Sequence, residues 1–299
     1  MQINKKNLKF IRGEVRFDEP MSRHTTFKIG GPADVWIAPR DKEDLLSVLR
    51  FAKENLVNVF VFGGGSNVLV ADKGIRGFTI SLSGPAFRYA EFNDCKVRVG
   101  CGMRLAEFIL EAADRDLGGC EFLAGVPGTI GGALVMNAGG ALTSVGDFVC
   151  EATVIKDLTA INLTKERLNF SYRDSALKEF ILIEAVLNMA RRNKDDIIRQ
   201  LRENLLRKNE SQDLAYPSAG CIFTNHSPQL SSGKLIELSG FKGASAGSAV
   251  VSERHANFIV NRGGAKACDV LTLINEIQKK VFKEHGIMLK LEVKLAGEF

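Results

Sequence analysis

Two glycine-rich loops constrain this chain more than any other feature of its sequence. The first, residues 63–67 (GGGSN), directly follows the apolar run NVFVF at 58–62, and another apolar run comes after it. The second, GVPGTIGG at 125–132, leads into ALVMNAGG. Backbone without side chains lets N–H groups approach an anion closely, whereas a tight turn needs glycine for a positive φ. The residues alone leave both explanations open.

Neither of the two familiar nucleotide-binding loops fits residues 63–67. A P-loop needs a lysine that reaches phosphate, yet none occurs before Lys73. A Rossmann loop opens a helix, yet position 68 is valine and the following residues are typical of a strand. We therefore predict a strand, a loop and another strand. Together with HTTFKIGGPAD at 24–34, the two loops indicate an extended ligand that lies along backbone, and a dinucleotide such as FAD has that shape.

Short apolar runs alternate with segments of helical period along the whole chain. The predicted strands are 58–62, 78–82, 96–100, 152–156, 180–187, 257–261 and 289–295. The predicted helices have the apolar positions Leu45, Leu49, Phe51 and Ala52 after the N-cap Asp41; Leu105, Phe108, Ile109 and Ala112; Ile198, Leu201 and Leu205; and Val270, Ile274, Ile277 and Val281. The pattern predicts an α+β or mixed α/β fold with a domain boundary near the polar residue 193.

The composition narrows the class of protein and of ligand. A chain of 299 residues is long enough for two or three domains. Its net charge of +5 is spread without a basic block, which favours small anionic ligands at least as much as nucleic acid. No apolar stretch approaches 18 residues, and the lysines near the N-terminus precede no apolar signal core, so we expect a cytoplasmic protein without membrane contact. The six cysteines show no metal-ligand spacing, and we expect no metal site.

Several segments, in this order along the chain, resemble one known family. They are HTTFKIGGPAD, GGGSNVLVADKGIRG, AGVPGTIGGALVMNAGG, SYRDSALK, YPSAGCIFTN, GKLIELSGFKG, HANFIVN and HGIMLKLEV. The chain resembles the UDP-N-acetylenolpyruvoylglucosamine reductases, flavoenzymes of peptidoglycan precursor synthesis. Its short YPSAG form is similar to the family's second type, which lacks an inserted tyrosine loop over the substrate.

The resemblance implies a fold and a reaction. The fold is the FAD-binding fold of the vanillyl-alcohol-oxidase (PCMH) type in two subdomains, 1–75 and 76–193, followed by an α+β substrate-binding domain, 194–299. In the reaction, NADPH passes a hydride to FAD, and the enolpyruvyl group of UDP-N-acetylglucosamine-enolpyruvate is reduced to give UDP-N-acetylmuramate. The implied FAD-binding residues are Gly63, Gly64, Gly65, Ser66, Asn67, Gly125, Gly128, Gly131 and Asn137. We expect noncovalent FAD, because residues 63–67 contain neither His nor Cys.

Reduction of an enol ether by hydride puts negative charge next to a carboxylate, so the site needs a cation and a proton donor. The resemblance gives the first task to Arg173 of SYRDS. A planar guanidinium suits a carboxylate and would stabilise the enolate. Without the motif, Arg173 and Asp174 would be interpreted as an exposed ion pair in a turn.

Glu292 lies in LKLEVKL, where Lys290, Glu292 and Lys294 alternate with apolar residues. Alternation alone predicts a solvent-facing carboxylate. The resemblance instead turns this face toward substrate, where Glu292 would hydrogen-bond the intermediate's carboxylate with a raised pKa.

Cys221 stands where the family has serine. A cysteine among small and apolar residues is usually a buried packing residue. The frame of PSAG before it and Phe223 and Asn225 after it makes Cys221 the implied proton donor. A thiol has a pKa of about 8.5, so it gives up a proton more easily than an alcohol.

The remaining polar residues have weaker support. Tyr172 and Asn225 are expected to contact substrate, although Tyr172 could equally pack and Thr224 stands where lysine is common in the family. His255 is expected to be structural, and Arg207 could contact the diphosphate. Two alternatives stay open: another oxidoreductase of the same flavin fold, and a nucleotide-binding module without catalysis.

Overall fold

The computed structural model describes residues 5–140, 143–227 and 229–299. The chain divides into two compact units, each built from separate stretches. The first contains the chain up to Phe17, Val35–Gly64 and Gly77–Leu205, and the second contains Asp18–Asp34, Gly65–Arg76 and Leu206–Phe299. The division at 1–75, 76–193 and 194–299 stays a prediction.

The strands are β1 (Glu14–Pro20), β2 (Pro32–Ala38), β3 (Val59–Phe62), β4 (Val68–Val70), β5 (Ile75–Ser81), β6 (Ala90–Asn93), β7 (Lys96–Gly100), β8 (Leu117–Gly118), β9 (Val149–Lys156), β10 (Thr159–Thr164), β11 (Ile181–Asn188), β12 (Ala190–Arg191), β13 (Ser218–Cys221), β14 (Ser245–Ala246), β15 (Ala249–Val251), β16 (Phe258–Asn261) and β17 (Lys294–Ala296). The helices are α1 (Lys42–Glu54), α2 (Leu105–Ala113), α3 (Ile130–Val135), α4 (Lys194–Ser211), α5 (Ser232–Leu238) and α6 (Ala267–His285). No helix in these described ranges is both long and apolar enough to cross a membrane.

The first unit contains an antiparallel sheet of order β10-β9-β11-β7-β6 and most of a second sheet of order β1-β2-β5-β3. In the antiparallel sheet, Ala185 of β11 lies opposite Ala152 of β9 and Val99 of β7, and all three side chains are buried. The four predicted apolar positions of α2 are also buried. The apolar residues of these strands and the apolar residues at helical spacing in α2 are therefore buried in the same hydrophobic core.

Helix α1 begins where the sequence predicts. The Asp41 side chain accepts a hydrogen bond from the Asp44 amide at 2.9 Å, which satisfies one of the first N–H groups of the helix. Leu45 and Leu49 are buried in one hydrophobic cluster with Phe78 of β5. Strand β3 pairs in parallel with β5, Val59 opposite Phe78, so the predicted strands at 58–62 and 78–82 are confirmed.

The second unit contains a sheet of order β13-β16-β15-β14 and a parallel pair, β17 with β4. The predicted apolar face of α6 is buried. The Asp72 carboxylate accepts hydrogen bonds from the Ala267 and Cys268 amides at 2.8 and 3.0 Å. These bonds hold the first residues of α6 next to Asp72, which follows β4 in the chain. The strand predicted at 257–261 is β16.

The strand predicted at 289–295 is wrong over most of its length. Only Lys294–Ala296 forms a strand, and Leu291 makes an isolated bridge with Phe223. The segment changes partner, from the chain after β13 to β4, so no single alternation runs through it. Leu295 is consequently 40% exposed, although the sequence pattern groups it with buried residues.

Helix α4 begins at Lys194, as the polar hinge predicts, but its buried face is shifted. Ile197 and Leu201 are buried, whereas Leu205 is 42% exposed. The prediction of Leu205 as a core residue is therefore wrong. The reason is that the boundary between the two units falls directly after Leu205, where the helix leaves the first unit's core.

Candidate active site

In the first unit, the two glycine-rich loops touch each other. A Cβ atom built on Gly64 would lie 2.5 Å from the Gly128 Cα, closer than real Cβ contacts come. Gly63 and Gly64 are nevertheless exposed to solvent. The close approach of two backbones explains the glycine at 64, and it leaves a side-chain-free surface on which an extended ligand can lie.

The loop at 63–67 joins β3 to β4, which confirms the predicted strand, loop and strand. Gly65 has φ +64°, so a left-handed turn accounts for its glycine. The backbone N–H groups of residues 63–66 donate to no acceptor within the described part of the chain. Two different requirements therefore explain the glycines of this loop: close approach of backbone at Gly64 and positive φ at Gly65. The unbonded amides of the loop are the type of donor that a diphosphate binds.

The second loop continues into α3. The Thr129 side chain accepts from the Gly132 amide at 3.3 Å, which caps the helix. A Cβ on Gly131 would lie 3.0 Å from the Cys101 Cβ, so Gly131 is needed for packing. Gly125 and Gly128 have φ +69° and +131°. The loop's shape therefore depends on glycine at each predicted position.

The turn that carries Arg173 is fastened to the end of α3. Ser171 and Asp174 exchange backbone hydrogen bonds of 3.0 and 3.2 Å, which places Tyr172 and Arg173 at the two central positions. Arg173 has φ +58°, an uncommon conformation for any residue other than glycine. Its Nη1 donates to the Gly139 carbonyl at 3.0 Å, and its guanidinium lies 5.3 Å from the Tyr172 ring.

Asn137 is buried just after α3 and touches that turn. Its Nδ2 donates to the Ser171 carbonyl at 2.8 Å, and its Oδ1 accepts from the Gly146 amide at 3.0 Å. On the far side of the turn, the buried Ser175 hydroxyl donates to the Val135 carbonyl at 2.9 Å. Asp174 pairs with Lys178 at 2.7 Å. The first unit therefore brings Asn137, Tyr172 and Arg173 together.

In the second unit, Cys221 lies at the end of a bulged strand. Ser218 and Cys221 lie opposite Val260 and Phe258 of β16, so three steps along β13 match two along β16. Gly220, with φ +75°, absorbs the extra residue. A bulge of this type re-aims the side chain that follows it. The Cys221 side chain is half-buried, in contrast to the buried thiols Cys101 and Cys120, whose pKa burial raises to about 12.

Glu292 lies beside the segment that begins at Cys221. Its amide donates to the Ile222 carbonyl at 2.8 Å, and its own carbonyl accepts from Asn67 Nδ2 at 3.1 Å. Lys294 N also donates to the Asn67 carbonyl at 3.0 Å. The second unit thus places three residues that the sequence predicts separately, Asn67, Cys221 and Glu292, on adjoining stretches of backbone.

Two polar residues that the sequence analysis does not single out hold this arrangement. Thr26 Oγ1 donates to the Ser218 carbonyl at 2.7 Å, and the Thr26 amide donates to the Gly65 carbonyl at 3.0 Å. The buried Asn257 side chain bonds both the amide and the carbonyl of Phe223, at 2.9 and 2.7 Å. Both occur in motifs, HTTFKIGG and HANFIVN, but their roles depend on long-range contacts that no local pattern reveals.

Three further polar residues are placed by the structure. Asn225 is exposed, and its Oδ1 accepts from the Ser232 amide at 3.1 Å, which ties the loop to the start of α5. His255 accepts from the Asn257 amide at 3.2 Å and lies 4.8 Å from the Phe258 ring. Burial lowers the pKa of His255, and burial lowers the pKa of Lys208 to about 8. Lys208 therefore keeps its charge at pH 7 and loses it above about pH 8.

Among the described residues, no group of three or more His, Cys, Asp or Glu side chains has the arrangement of a metal site.

Comparison with known proteins defines the class of protein. Residues 33–159 match the family model described as FAD binding domain. The solved structure of Physcomitrella patens BBE-like 1 aligns with a TM-score of 0.50 and 16% identity over 63% of this chain and 44% of its own, which is a likeness of fold alone. With the glycine-rich loops described above, these matches confirm an FAD-binding protein of α+β architecture with the vanillyl-alcohol-oxidase (PCMH) type of fold.

The family follows from closer relatives. Residues 212–296 match the model described as UDP-N-acetylenolpyruvoylglucosamine reductase, C-terminal domain. Enzymes of that name from Halalkalibacterium halodurans and Heliobacterium modesticaldum are 40% and 42% identical, over 96% of this chain and 95% and 92% of their own. The crystal structure of the Thermus caldophilus enzyme aligns with a TM-score of 0.82 and 33% identity, over 96% of this chain and 99% of its own. The chain belongs to the UDP-N-acetylenolpyruvoylglucosamine reductase family.

Exchange of Gly64 for alanine tests whether the contact between the loops supports the cofactor. We expect Gly64→Ala to lower flavin content and to destabilise the protein by about 1–3 kcal/mol, because its Cβ would collide with backbone. Gly132→Ala is the matched control, since its Cβ would make only an ordinary contact, 3.7 Å from the Thr129 Oγ1. The measurements are the flavin-to-protein absorbance ratio and thermal denaturation. Full flavin content in Gly64→Ala would contradict this role for the contact.

Proposed function

We propose that this protein uses NADPH to reduce the enolpyruvyl group of UDP-N-acetylglucosamine-enolpyruvate, which yields UDP-N-acetylmuramate for peptidoglycan synthesis. FAD, when bound, supplies the hydride transfer from NADPH to the terminal vinyl carbon. Membership of the family supports the reaction. The structural observation that carries the assignments of Cys221 and Glu292 is the hydrogen bond from the Glu292 amide to the Ile222 carbonyl, directly after Cys221.

The cofactor would be held by the glycine-rich loops. Their exposed backbone, the contact of Gly64 with Gly128 and the available amides fit a dinucleotide. The proposed FAD-binding positions in these loops are Gly63, Gly64, Gly65, Ser66, Asn67, Gly125, Gly128 and Gly131, of which Gly63, Gly64 and Gly125 are exposed. The binding is noncovalent, since residues 63–67 offer no His or Cys for a covalent bond.

Arg173 would stabilise the negative charge that develops on the substrate. Its guanidinium is planar and always charged, and it matches a carboxylate with two parallel donors. The left-handed backbone of Arg173 supports this role, since such a conformation costs about 1–2 kcal/mol for a residue with a Cβ and is retained where the side chain must point in one direction. Tyr172, 54% exposed beside it, would contact substrate through its ring.

Cys221 would deliver the final proton to the substrate carbon. The bulge at Gly220 sets the direction of the side chain, and the half-buried position keeps the thiol accessible. Proton delivery needs a donor in the protonated state at working pH, and an ordinary thiol with a pKa of about 8.5 meets that condition at neutrality.

Glu292 would hydrogen-bond the carboxylate of the intermediate. The backbone of Glu292 is hydrogen-bonded to Ile222 and to Asn67, which fixes the position of the Glu292 Cα beside the segment that begins at Cys221. A hydrogen bond from the acid form to a carboxylate strengthens as charge develops there. Asn225 would contact substrate from the same loop through its side-chain amide, with its oxygen already engaged by Ser232.

The reaction takes small molecules, UDP-N-acetylglucosamine-enolpyruvate and NADPH, and requires no nucleic acid or membrane partner. A cytoplasmic location remains part of the proposal.

A flavin spectrum tests cofactor, donor and acceptor in one cuvette. We expect purified protein to absorb as a flavoprotein, to bleach on addition of NADPH, and to recover its colour with the enolpyruvyl substrate. Denaturation should release the flavin. A colourless protein that takes up no FAD would favour a nucleotide-binding module without catalysis. Bleaching without recovery, together with activity on an alcohol or hydroxy acid, would favour another oxidoreductase of this fold.

Substitution of Cys221 separates the two halves of the reaction. We expect Cys221→Ala to leave flavin reduction by NADPH intact and to slow flavin reoxidation by substrate about 100-fold or more, because the proton donor is lost. Cys221→Ser restores an O–H donor and should recover most of the rate. Stopped-flow flavin absorbance measures both halves. Normal reoxidation in the alanine variant would show that Cys221 is not the donor.

Arg173 and Glu292 should also act in the second half of the reaction. We expect Arg173→Ala and Glu292→Ala each to slow reoxidation by substrate about 100-fold, since each removes one charge-stabilising contact. Arg173→Lys keeps the charge but loses the planar pair of donors, so it should recover only part of the rate. Equal losses in both half-reactions, measured by the same stopped-flow assay, would instead indicate a role in folding or in shared binding.

A further inference from the structure

The buried side chain of Asn137 joins the segment after α3 to the turn that carries Arg173. We propose that Asn137 is a positioning residue for Arg173 rather than a ligand of the cofactor. This inference rests on the proposed function, because it takes Arg173 to act on the substrate. The resemblance places Asn137 among the FAD-binding residues, but its contacts point toward the turn.

Both polar atoms of the Asn137 amide are engaged by the protein. Nδ2 donates to the Ser171 carbonyl at 2.8 Å and Oδ1 accepts from the Gly146 amide at 3.0 Å. Both distances are typical of well-formed hydrogen bonds. The side chain is only 6% exposed. Loss of either bond would leave a buried polar group without a partner, so the amide is held in one orientation.

The protein around Asn137 is shaped to this amide. A Cβ on Gly146 would lie 2.7 Å from the Asn137 Oδ1 and 2.5 Å from the Phe170 ring. Glycine at 146 thus leaves room for its amide to reach the Asn137 oxygen. Asn137 itself has φ +43°, a conformation that asparagine adopts far more readily than most residues. The backbone conformation of Asn137 and the two hydrogen bonds of its side chain both fit a residue that joins the segment after α3 to the Arg173 turn.

That link acts directly on the geometry of Arg173. Ser171, the acceptor of the Asn137 bond, is the first residue of the tight turn, and Arg173 lies two residues later at φ +58°. Ser175 holds the other end of the turn to Val135, and Arg173 itself donates to Gly139. Ser175 also donates to the Leu134 carbonyl, so four hydrogen bonds to the end of α3 and the residues after it hold the turn, and Asn137 makes one of them. A displacement of about 1 Å at a reacting group lowers a rate about 100-fold.

Two variants separate the effects of the side chain from those of the backbone. Asn137→Gly tolerates positive φ and removes both hydrogen bonds. Asn137→Asp also tolerates positive φ and keeps an acceptor for the Gly146 amide, but it sets an oxygen against the Ser171 carbonyl. Asp41→Ala is the control for stability, since it removes the cap of α1 elsewhere in the first unit. FAD affinity and thermal denaturation are measured for each variant. Both half-reactions are measured for each as well, flavin reduction with NADPH and flavin reoxidation with UDP-N-acetylglucosamine-enolpyruvate.

We expect both Asn137 variants to reduce flavin with NADPH within about 2-fold of the parent and to slow reoxidation by substrate about 10- to 100-fold. Asp41→Ala should change neither half-reaction. In an Arg173→Ala background, Asn137→Gly should slow reoxidation by no more than about 2-fold further, because residues that act through one group are not additive. Such a pattern would not arise from a loss of stability alone.

Weakened FAD binding and slow reduction in Asn137→Gly would overturn the inference and identify Asn137 as a cofactor ligand. A full further loss in the Arg173→Ala background would overturn it as well, because the two residues would then act independently. Normal reoxidation in Arg173→Ala alone would instead contradict the role proposed for Arg173. Slow reoxidation in Arg173→Ala with normal rates in both Asn137 variants would contradict the positioning role only.

Discussion

The backbone contact between Gly64 and Gly128 is the constraint on which the first unit's candidate site depends. The two loops can approach this closely only when residue 64 carries no Cβ, and Gly128 has φ +131°, so the glycines at these positions come from packing and backbone conformation as much as from any ligand. The same contact leaves exposed backbone next to it. A surface without side chains is what a long, flat, charged cofactor requires, and the fold supplies it as a consequence of its own packing.

Helix α3 extends the effect of that contact to the residue proposed to stabilise charge. The loop at Gly128 leads through the Thr129 cap into the helix, and the residues at and just after the helix end hold the Arg173 turn through Asn137 and Ser175. One segment of 16 residues, GVPGTIGGALVMNAGG, therefore shapes the candidate cofactor surface with its first half and the candidate substrate turn with its second. The two functions share a scaffold only six helical residues long.

The regular elements were predictable because their signals are local. Apolar spacing at helical period located α1, α2 and α6, and short apolar runs located β3, β7 and β11. The strand prediction at 289–295 was wrong because alternating apolar residues indicate a buried strand face only where one partner strand lies alongside. This segment changes partner near Val293. For the site, motifs identified Cys221 and Glu292 as candidates. Their adjacency depends on hydrogen bonds between residues about 70 positions apart, which no local pattern encodes.

The backbone conformation of Arg173 is the strongest structural argument for its importance. Glycine at this position would adopt φ +58° without strain, as Gly65 does, although the chain also places non-glycine residues such as Lys28 and Leu56 at positive φ. An arginine there costs about 1–2 kcal/mol. Its side chain is half-buried beside the Tyr172 ring, which is 54% exposed. What the arginine adds is a guanidinium held in one direction by the Gly139 carbonyl. A cation held in one direction beside a solvent-exposed aromatic ring is suited to the binding of an anion.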